Sequence, residues 1–175
     1  MNPIVITGGP GAGKTTIIEA LSEQGFMTFE ESSRSLIEQQ LALEDGVLPW
    51  TDLPAFADLC FDLMLKQKHL ANYADTKATF LDRAIPDIIA YLRTGECDVD
   101  PKYIQAGSGY HHKIFMCKPE ASIYNQDQVR PHSFEEALLI HQNLISAYSD
   151  LAYEIVEVPW GTIESRVNFI KAQIT

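Results

Sequence analysis

The sequence predicts an α/β fold, with helices packed on both faces of a parallel sheet of about five strands. Short apolar runs, typical of buried strands, alternate along the chain with longer segments whose apolar residues recur at helical spacing. The first run, residues 4–7, is rich in β-branched residues, which favours a parallel strand covered on both faces. With 175 residues, 46% of them hydrophobic, the chain is expected to form a single domain over residues 1–175 without disulfides.

Each element follows from the same two patterns, read from the amino terminus onward. The predicted strands are residues 4–7, 26–29, 78–81, 114–117 and 153–158. The predicted helices are residues 14–22, a segment that ends near residue 43, and residues 55–73, 85–92, 134–151 and 162–173. Glycines and prolines make residues 94–111 mostly loop and residues 119–131 a polar loop. In a parallel sheet, functional side chains are expected where the strands end.

The charge balance disfavours two classes of partner, although it allows a local basic pocket. Acidic residues outnumber basic ones by 24 to 13, giving a net charge of −11, so the surface repels nucleic acid and anionic lipid. We find no apolar run of the roughly 18 residues that a membrane helix needs. The three cysteines are widely spaced and fit neither a disulfide framework nor a zinc knuckle, which favours a reducing, cytoplasmic location.

A glycine-rich motif follows the first predicted strand and precedes the first predicted helix. It fits the pattern Gly-x-x-x-x-Gly-Lys-(Ser/Thr) in full, with the residues Gly8, Gly9, Pro10, Gly11, Ala12, Gly13, Lys14 and Thr15, followed by Thr16. The glycines let backbone N–H groups approach phosphate oxygens, and the helix start adds a positive dipole end. Lys14 would reach the β- and γ-phosphates of a nucleotide, and Thr15 would ligate Mg²⁺. A chance glycine-rich turn is the alternative, which this strand–loop–helix context disfavours.

An acidic partner for the metal is expected at the end of the third predicted strand. Asp82 occupies that position and is our candidate Mg²⁺ ligand and catalytic carboxylate, although a helix N-cap is an alternative role. Asp87 is a fallback ligand on the following helix. Arg83 directly follows Asp82, and several basic residues fall at or beyond strand ends, as expected for binding a polyanion. They are Lys14, Arg34, Arg83, Lys118 and Arg130.

Candidates for the acceptor side lie after the second strand and in the polar loop. Glu30 and Glu31 could hydrogen-bond an acceptor hydroxyl or take its proton; the alternative is a solvated first helical turn. Arg130 would close over phosphates as part of a lid at about residues 119–131, or be an ordinary exposed arginine. Trp160, after the last strand, is either a wall for adenine or a loop residue.

The chain resembles a group of small P-loop ATPases or kinases known as stand-alone "AAA-type ATPase domains", which are similar in fold to nucleoside and nucleotide kinases. The resemblance covers nearly the whole chain. It rests on GGPGAGKT at 8–15, FEESSR at 29–34, FLDRAIPDIIAYLRTGE at 80–96 and VEVPWGTIESRVNFI at 156–170, together with Arg130. It implies strand order 2-3-1-4-5, ATP and Mg²⁺ at the phosphate loop, and an acceptor pocket near Glu31, Arg34, Asp82 and Arg83.

The leading functional hypothesis is therefore an ATP- and Mg²⁺-dependent kinase for a nucleoside-, nucleotide- or vitamin-like acceptor. In it, Lys14, Arg83 and Arg130 would stabilise charge on the transferred phosphoryl group. Asp82 or Glu31 would position the acceptor hydroxyl or take its proton. An ATPase that acts as a nucleotide-dependent switch for a protein partner is the rival hypothesis. A third is a binding module without catalysis.

Overall fold

The computed structural model describes residues 1–123 and 133–174. Five parallel strands form one sheet: β1 (Ile4–Thr7), β2 (Met27–Phe29), β3 (Thr79–Asp82), β4 (Lys113–Cys117) and β5 (Glu154–Val158). Their order across the sheet is β2-β3-β1-β4-β5, which confirms the predicted order and fold class. β1 lies between β3 and β4, with Ile6 opposite Asp82 and Phe115.

Seven α-helices and a short 3₁₀ turn connect these strands within the described residues. They are α1 (Lys14–Glu23), α2 (Ser32–Leu41), α3 (Leu53–Tyr73), α4 (Ile85–Thr94), α5 (Pro101–Ala106), α6 (Phe134–Asp150) and α7 (Ile163–Gln173), and the turn spans Ala121–Ile123. The predicted elements are present, with ends shifted by one or a few residues. The expectation of mostly loop over residues 94–111 is wrong in part, because α5 forms there. Asp100 starts α5 by accepting a hydrogen bond from the Lys102 backbone N–H at 2.8 Å.

Two hydrophobic cores cover the two faces of the sheet. On one face α1 and α7 pack over Ile4, Ile6, Phe80 and Phe115. On the other face the larger core joins Val5 and strand residues of β3 and β4 to helices α2 to α6. Alternate residues of β1 thus enter different cores, which explains why residues 4–7 are all buried. The resulting three layers leave the carboxyl ends of β1, β2 and β3 together at one edge.

Candidate active site at the carboxyl edge of the sheet

The glycine loop, defined here as residues 8–13, connects β1 to α1 and requires its glycines. Gly8, Gly11 and Gly13 have φ angles of 149°, 75° and 69°, which side-chain-bearing residues rarely adopt. A Cβ atom on Gly8 would also overlap the carbonyl oxygen of Cys117 at the end of β4. The loop is therefore held close to the sheet by both its conformation and its packing.

Helices α6 and α7 brace the glycine loop from two sides. A Cβ atom on Gly9 would lie 2.6 Å from the Ala137 carbonyl oxygen of α6. From α7, the buried Arg166 donates a hydrogen bond from Nη2 to the Ala12 carbonyl oxygen at 3.1 Å. Its guanidinium lies 4.6 Å from the centre of the Trp160 ring. Sequence reasoning missed Arg166, because an arginine on a late helix carries no local sign that it contacts this loop.

The predicted nucleotide-binding side chains begin α1. Lys14 is buried and donates a hydrogen bond from Nζ to the Gly9 carbonyl oxygen at 3.3 Å. Burial, together with the nearby Arg83 charge, lowers the pKa of Lys14. Thr15 and Thr16 are exposed, and the Thr16 hydroxyl donates to the Gly13 carbonyl oxygen at 2.9 Å. The Lys14 side chain is therefore buried against the glycine loop, while the Thr15 side chain is exposed and accessible to a ligand.

Asp82 ends β3 beside β1, as the sequence predicted. Its side chain is buried, and Oδ1 has no hydrogen-bond partner among the described residues. Burial raises the pKa of Asp82 to about 7, although the neighbouring Lys14 charge favours the ionised carboxylate. A buried acceptor atom without a partner is costly in a folded protein. The position of Asp82 therefore suits a ligand, such as a cation, that would satisfy this oxygen.

Arg83 forms the corner between β3 and α4. Its φ angle of 70° is unusual for a residue with a side chain, and its N–H donates to the Ile6 carbonyl oxygen at 3.0 Å. The buried guanidinium is held between two carboxylates: Nε lies 2.9 Å from Glu31 Oε1, and Nη1 lies 3.1 Å from Asp87 Oδ1. Such partners explain how the strained corner persists.

Glu31 is the residue that precedes α2, and its side chain is 21% exposed. Burial acts to raise its pKa, but the charges of Arg83 and Lys14 outweigh this effect and lower the pKa of Glu31 to about 2. The Ser33 hydroxyl donates a further hydrogen bond to Oε1 at 2.7 Å. Glu31 is therefore an ionised carboxylate at neutral pH, able to accept another hydrogen bond.

Four hydrogen-bond donors surround the Asp87 carboxylate, which does not favour the fallback metal role predicted for it. The carboxylate accepts hydrogen bonds from the Thr7 and Tyr148 hydroxyls, each at 2.5 Å, from Arg83 at 3.1 Å and from the Ala84 N–H at 3.1 Å. Four donors use the hydrogen-bonding capacity of a carboxylate. Asp87 instead ties β1, α4 and α6 together and positions Arg83.

A cavity of about 330 Å³ opens beside this cluster. Glu31, Arg83 and Asp87 line its polar end, and Pro10 of the glycine loop also lines it. The rest of the wall is largely apolar and comes from α2, α3, α4 and the α2–α3 connection: Ile37, Pro49, Trp50, Leu53, Phe56, Ala57, Cys60, Met64, Ile88, Tyr91 and Leu92. An apolar cleft with a few convergent polar groups is the usual form of a small-molecule site.

The other predicted site residues differ in whether they line this cavity. Arg34 lines the cavity from α2 and lies 3.8 Å from Glu38. Lys118 follows β4 as an exposed side chain and does not line the cavity. Glu30 is exposed, which leaves Glu31 as the carboxylate of the pair that enters the site. Arg130 and most of the predicted lid at 119–131 lie outside the described residues.

The described residues meet the requirements of neither a cluster of metal-binding side chains nor a membrane-spanning helix. Among residues 1–123 and 133–174, no group of three His, Cys, Asp or Glu side chains is arranged to hold a metal ion. An ATP-bound Mg²⁺ needs no such cage, since it takes most of its ligands from phosphates and water. Nor does any helix in the described part of the chain have the length and apolar character needed to cross a membrane.

The family model for an AAA domain matches residues 3–166, and the chain belongs to that family, as the sequence motifs predicted. The architecture is that of a P-loop NTPase similar to nucleotide kinases. No curated protein sequence matches the chain significantly.

Solved structures support the same fold at low sequence identity. A deoxyadenosine kinase from M. mycoides with bound dATP is 15% identical, with 99% of each chain covered and a TM-score of 0.66. A thymidylate kinase from Candida albicans is also 15% identical; the match covers 99% of this chain and 90% of that one, with a TM-score of 0.70. The YorR protein from Bacillus subtilis, solved with phosphorylated GDP, is 12% identical, covers 98% and 95%, and has a TM-score of 0.59.

Proposed function

We propose that this chain is an ATP- and Mg²⁺-dependent small-molecule kinase that works in the cytoplasm. One observation carries the proposal: the glycine loop and the apolar cavity meet, with Pro10 in both and Glu31 and Arg83 at the junction. A kinase needs a phosphate site and an acceptor site in contact, because it transfers the group directly between them. The acceptor is a nucleoside-, nucleotide- or vitamin-like molecule.

On the nucleotide side, backbone N–H groups of the glycine loop and of the first turn of α1 would bind the ATP phosphates. Lys14 would contact the β- and γ-phosphates. Thr15 and Asp82 fit a Mg²⁺ site, since one offers an accessible hydroxyl and the other an unpartnered buried oxygen. When bound there, Mg²⁺ would offset charge on the β- and γ-phosphate oxygens.

On the acceptor side, the ionised Glu31 would accept a hydrogen bond from the acceptor hydroxyl and hold it towards the γ-phosphate. Arg83, fixed by Glu31 and Asp87, would place positive charge beside the transferred group. Arg34 would contact the acceptor from α2. Arg130 remains our predicted lid arginine. Catalysis in this scheme depends on position and charge rather than on a strong base, as phosphoryl transfer allows.

The solved structures of similar fold support this proposal because they include kinases. Two of them are a deoxyadenosine kinase and a thymidylate kinase, which act on a nucleoside and a nucleotide by name. Because identity to this chain is 15% in both cases, the fold is common but the acceptor is not transferred. The acceptor must therefore be identified by measuring which compounds this chain phosphorylates.

The test is transfer of ³²P from γ-labelled Mg-ATP to a panel of nucleosides, nucleoside monophosphates and phosphorylatable vitamins. We expect one acceptor class to become labelled. Lys14→Ala should remove the transfer, with a loss of about 100-fold or more, because the γ-phosphate loses its main charge partner. Lys66→Ala removes an exposed lysine of α3 and is the matched control with unchanged rate.

An unlabelled panel would overturn the kinase proposal. Slow ATP hydrolysis that only a protein partner accelerates would then identify a nucleotide-dependent switch. Transfer that survives unchanged in Lys14→Ala would place the nucleotide somewhere other than at the glycine loop.

A further inference from the structure

We propose that the acceptor presents an uncharged alcohol on a flat, largely apolar body, and that the site rejects a phosphate monoester at that position. The inference deepens the proposed function, on which it rests, by choosing between an alcohol and a phosphate as the group that receives the phosphoryl. Nucleosides and vitamin alcohols share this chemistry; nucleoside monophosphates do not. The charge balance at the polar end of the cavity favours the alcohol.

The buried cation at that end is already neutralised. Arg83 lies 2.9 Å from Glu31 and 3.1 Å from Asp87, so two carboxylates face one guanidinium. The ring of Tyr91 lies 5.3 Å from Arg83 Cζ and occupies a further side. In the proposed function the γ-phosphate of ATP also has Lys14 and the glycine loop as partners. The phosphate dianion of an acceptor would instead have to displace a carboxylate from Arg83 or lie beside it. Either arrangement is unfavourable for buried charges at the end of a largely apolar cavity.

The other charged groups that line the cavity do not reverse this balance. Within residues 1–123 and 133–174, the charged lining side chains are Glu31, Arg34, Arg83, Asp87 and Glu136, three acidic and two basic. Arg34 lies 3.8 Å from Glu38 and its side chain is 45% exposed, so solvent and a carboxylate both screen its charge. The described wall therefore carries net negative charge, which an alcohol tolerates and a dianion does not.

The same carboxylate that repels a phosphate is well placed for a hydroxyl. Glu31 Oε1 is bound by Arg83 and Ser33, and a carboxylate retains further acceptor capacity beyond these two bonds. The hydroxyl of an alcohol at the polar end would donate a hydrogen bond to Glu31. Its body would extend between Trp50, Phe56 and Tyr91, whose rings favour a planar partner. A volume of about 330 Å³ fits one small molecule rather than two.

The transfer step balances without any further reactant. The acceptor oxygen bonds to the γ-phosphorus of ATP while the bond from that phosphorus to the β–γ bridging oxygen breaks, and its electron pair leaves with ADP. The hydroxyl proton becomes strongly acidic as its oxygen bonds to phosphorus, so it passes to Glu31 late in the step and then to water. The products are ADP, the phosphate monoester of the acceptor and one proton.

Occupancy of the cavity can be measured apart from turnover. The chain has two tryptophans, so Trp160→Phe leaves Trp50, in the cavity wall, as the single indole reporter. We would titrate matched pairs: deoxyadenosine against its 5′-monophosphate, thymidine against its 5′-monophosphate, and pyridoxine against its phosphate. The alcohol of at least one pair should quench Trp50 fluorescence with at least about 10-fold higher affinity than its phosphate. Tighter binding of the phosphates, or quenching by no compound, overturns the assignment.

Turnover supplies the second arm with the same pairs and γ-labelled ATP. The alcohols should be labelled and the monophosphates not, and the pair that reacts distinguishes a nucleoside from a vitamin. Glu31→Gln should lower kcat for the alcohol by about 100-fold or more, since the hydroxyl loses the carboxylate that positions it and takes its proton late in the step. Glu23→Gln makes the same change at an exposed position at the end of α1 and should leave kcat unaltered.

The outcomes separate the two proposals. Labelled monophosphates beside unlabelled alcohols would overturn this inference while leaving the kinase proposal in place. A panel without any labelled compound would overturn both. Full activity of Glu31→Gln with an alcohol would refute the role of Glu31 in the step, and with it the charge argument.

Discussion

The Thr7 hydroxyl oxygen lies 2.5 Å from Oδ1 of Asp87, a residue 80 positions further along the chain. Thr7 is the last residue of β1, directly before the glycine loop, and Asp87 belongs to the first turn of α4. The hydrogen bond therefore links the start of the nucleotide loop to the helix that carries one wall of the acceptor cavity. Asp87 also binds Arg83, so one buried carboxylate fixes both halves of the candidate site.

Loss of this carboxylate should be strongly destabilising. Asp87→Ala leaves the buried Arg83 without one partner and the Thr7 and Tyr148 hydroxyls without an acceptor. We expect the free energy of unfolding to fall by about 3–5 kcal/mol, the range for breaking a buried ion pair. Urea denaturation followed by circular dichroism measures it.

Asp150→Ala is the matched control for that change. Asp150 lies 2.8 Å from Arg93, but its side chain is 58% exposed. Exposed ion pairs contribute about 0–1 kcal/mol, so this variant should remain near the wild type. Equal losses in the two variants would show that Asp87 has no special structural role.

The glycine loop makes a separate prediction about Gly8. Gly8→Ala combines a φ of 149° with overlap between the new Cβ and the Cys117 carbonyl oxygen. Gly25 also has a positive φ, 84°, but a Cβ there would meet no atom within 4 Å. We expect Gly25→Ala to reduce stability by about 1–2 kcal/mol through backbone strain alone. Gly8→Ala should lose more than this, and a loss no larger in thermal unfolding would contradict the packing of the loop.

Arg166 is predicted to support nucleotide binding from outside the loop. Arg166→Ala removes the hydrogen bond to the Ala12 carbonyl oxygen, and we expect a loss of about 1.5–3 kcal/mol in stability. The KM for ATP should rise as well, because the loop loses its support. Lys171→Ala, on the same helix, removes a hydrogen bond to the exposed Gln24 and should cost less than about 1 kcal/mol. An unchanged KM for Arg166→Ala would restrict this arginine to a structural role.

The buried Asp82 predicts a pH dependence of stability. Burial raises its pKa from 3.8 to about 7, so between these values the folded protein holds a proton that the unfolded chain has released. The free energy of unfolding therefore falls as the pH rises through this range. Asp82→Asn cannot ionise, and its Tm should exceed that of the wild type by a few degrees at about pH 8.

The control for this prediction is the same comparison in acid. Towards about pH 4 the wild-type carboxyl is protonated, and the difference in Tm should nearly vanish. Thermal unfolding is measured without Mg²⁺ or nucleotide, since either would bind the protein with ionised Asp82 and change its free energy of unfolding. A difference that does not vary with pH would contradict the raised pKa.

Local patterns were sufficient for much of the fold. A β-branched run identified β1, short apolar runs identified its neighbours, and the glycine motif located the loop, because these signals lie within a few consecutive residues. Helix α5 was missed because nearby glycines obscured a six-residue helix. Asp100 as N-cap followed by Pro101 in the first turn was the available signal. Likewise, Asp52 caps α3 by accepting a hydrogen bond from the Ala55 N–H at 3.0 Å, so the helix begins at Leu53, two residues before the predicted start.

The candidate site was predictable only where its chemistry has a local signature. Asp82 ends a strand, and Lys14 and Arg83 lie shortly after strands, so the sequence predicted all three at the edge of the sheet. The roles of Asp87 and Arg166 depend on partners far along the chain, such as Tyr148 for the first and Ala12 for the second. No spacing within one segment encodes such contacts. The same is true of the charge balance around Arg83, which requires Glu31 from another strand–helix unit.

The two cores on opposite faces of the sheet have a consequence for how such a protein can diversify. Residues that shape the acceptor cavity, including Ile37, Phe56 and Met64, belong to one core, whereas Ala12 of the glycine loop belongs to the other, with helices α1 and α7. A substitution that reshapes the cavity changes the packing of the core on its own side of the sheet. Acceptor preference can therefore change over evolutionary time, or by directed mutagenesis, while the nucleotide half of the molecule is inherited intact.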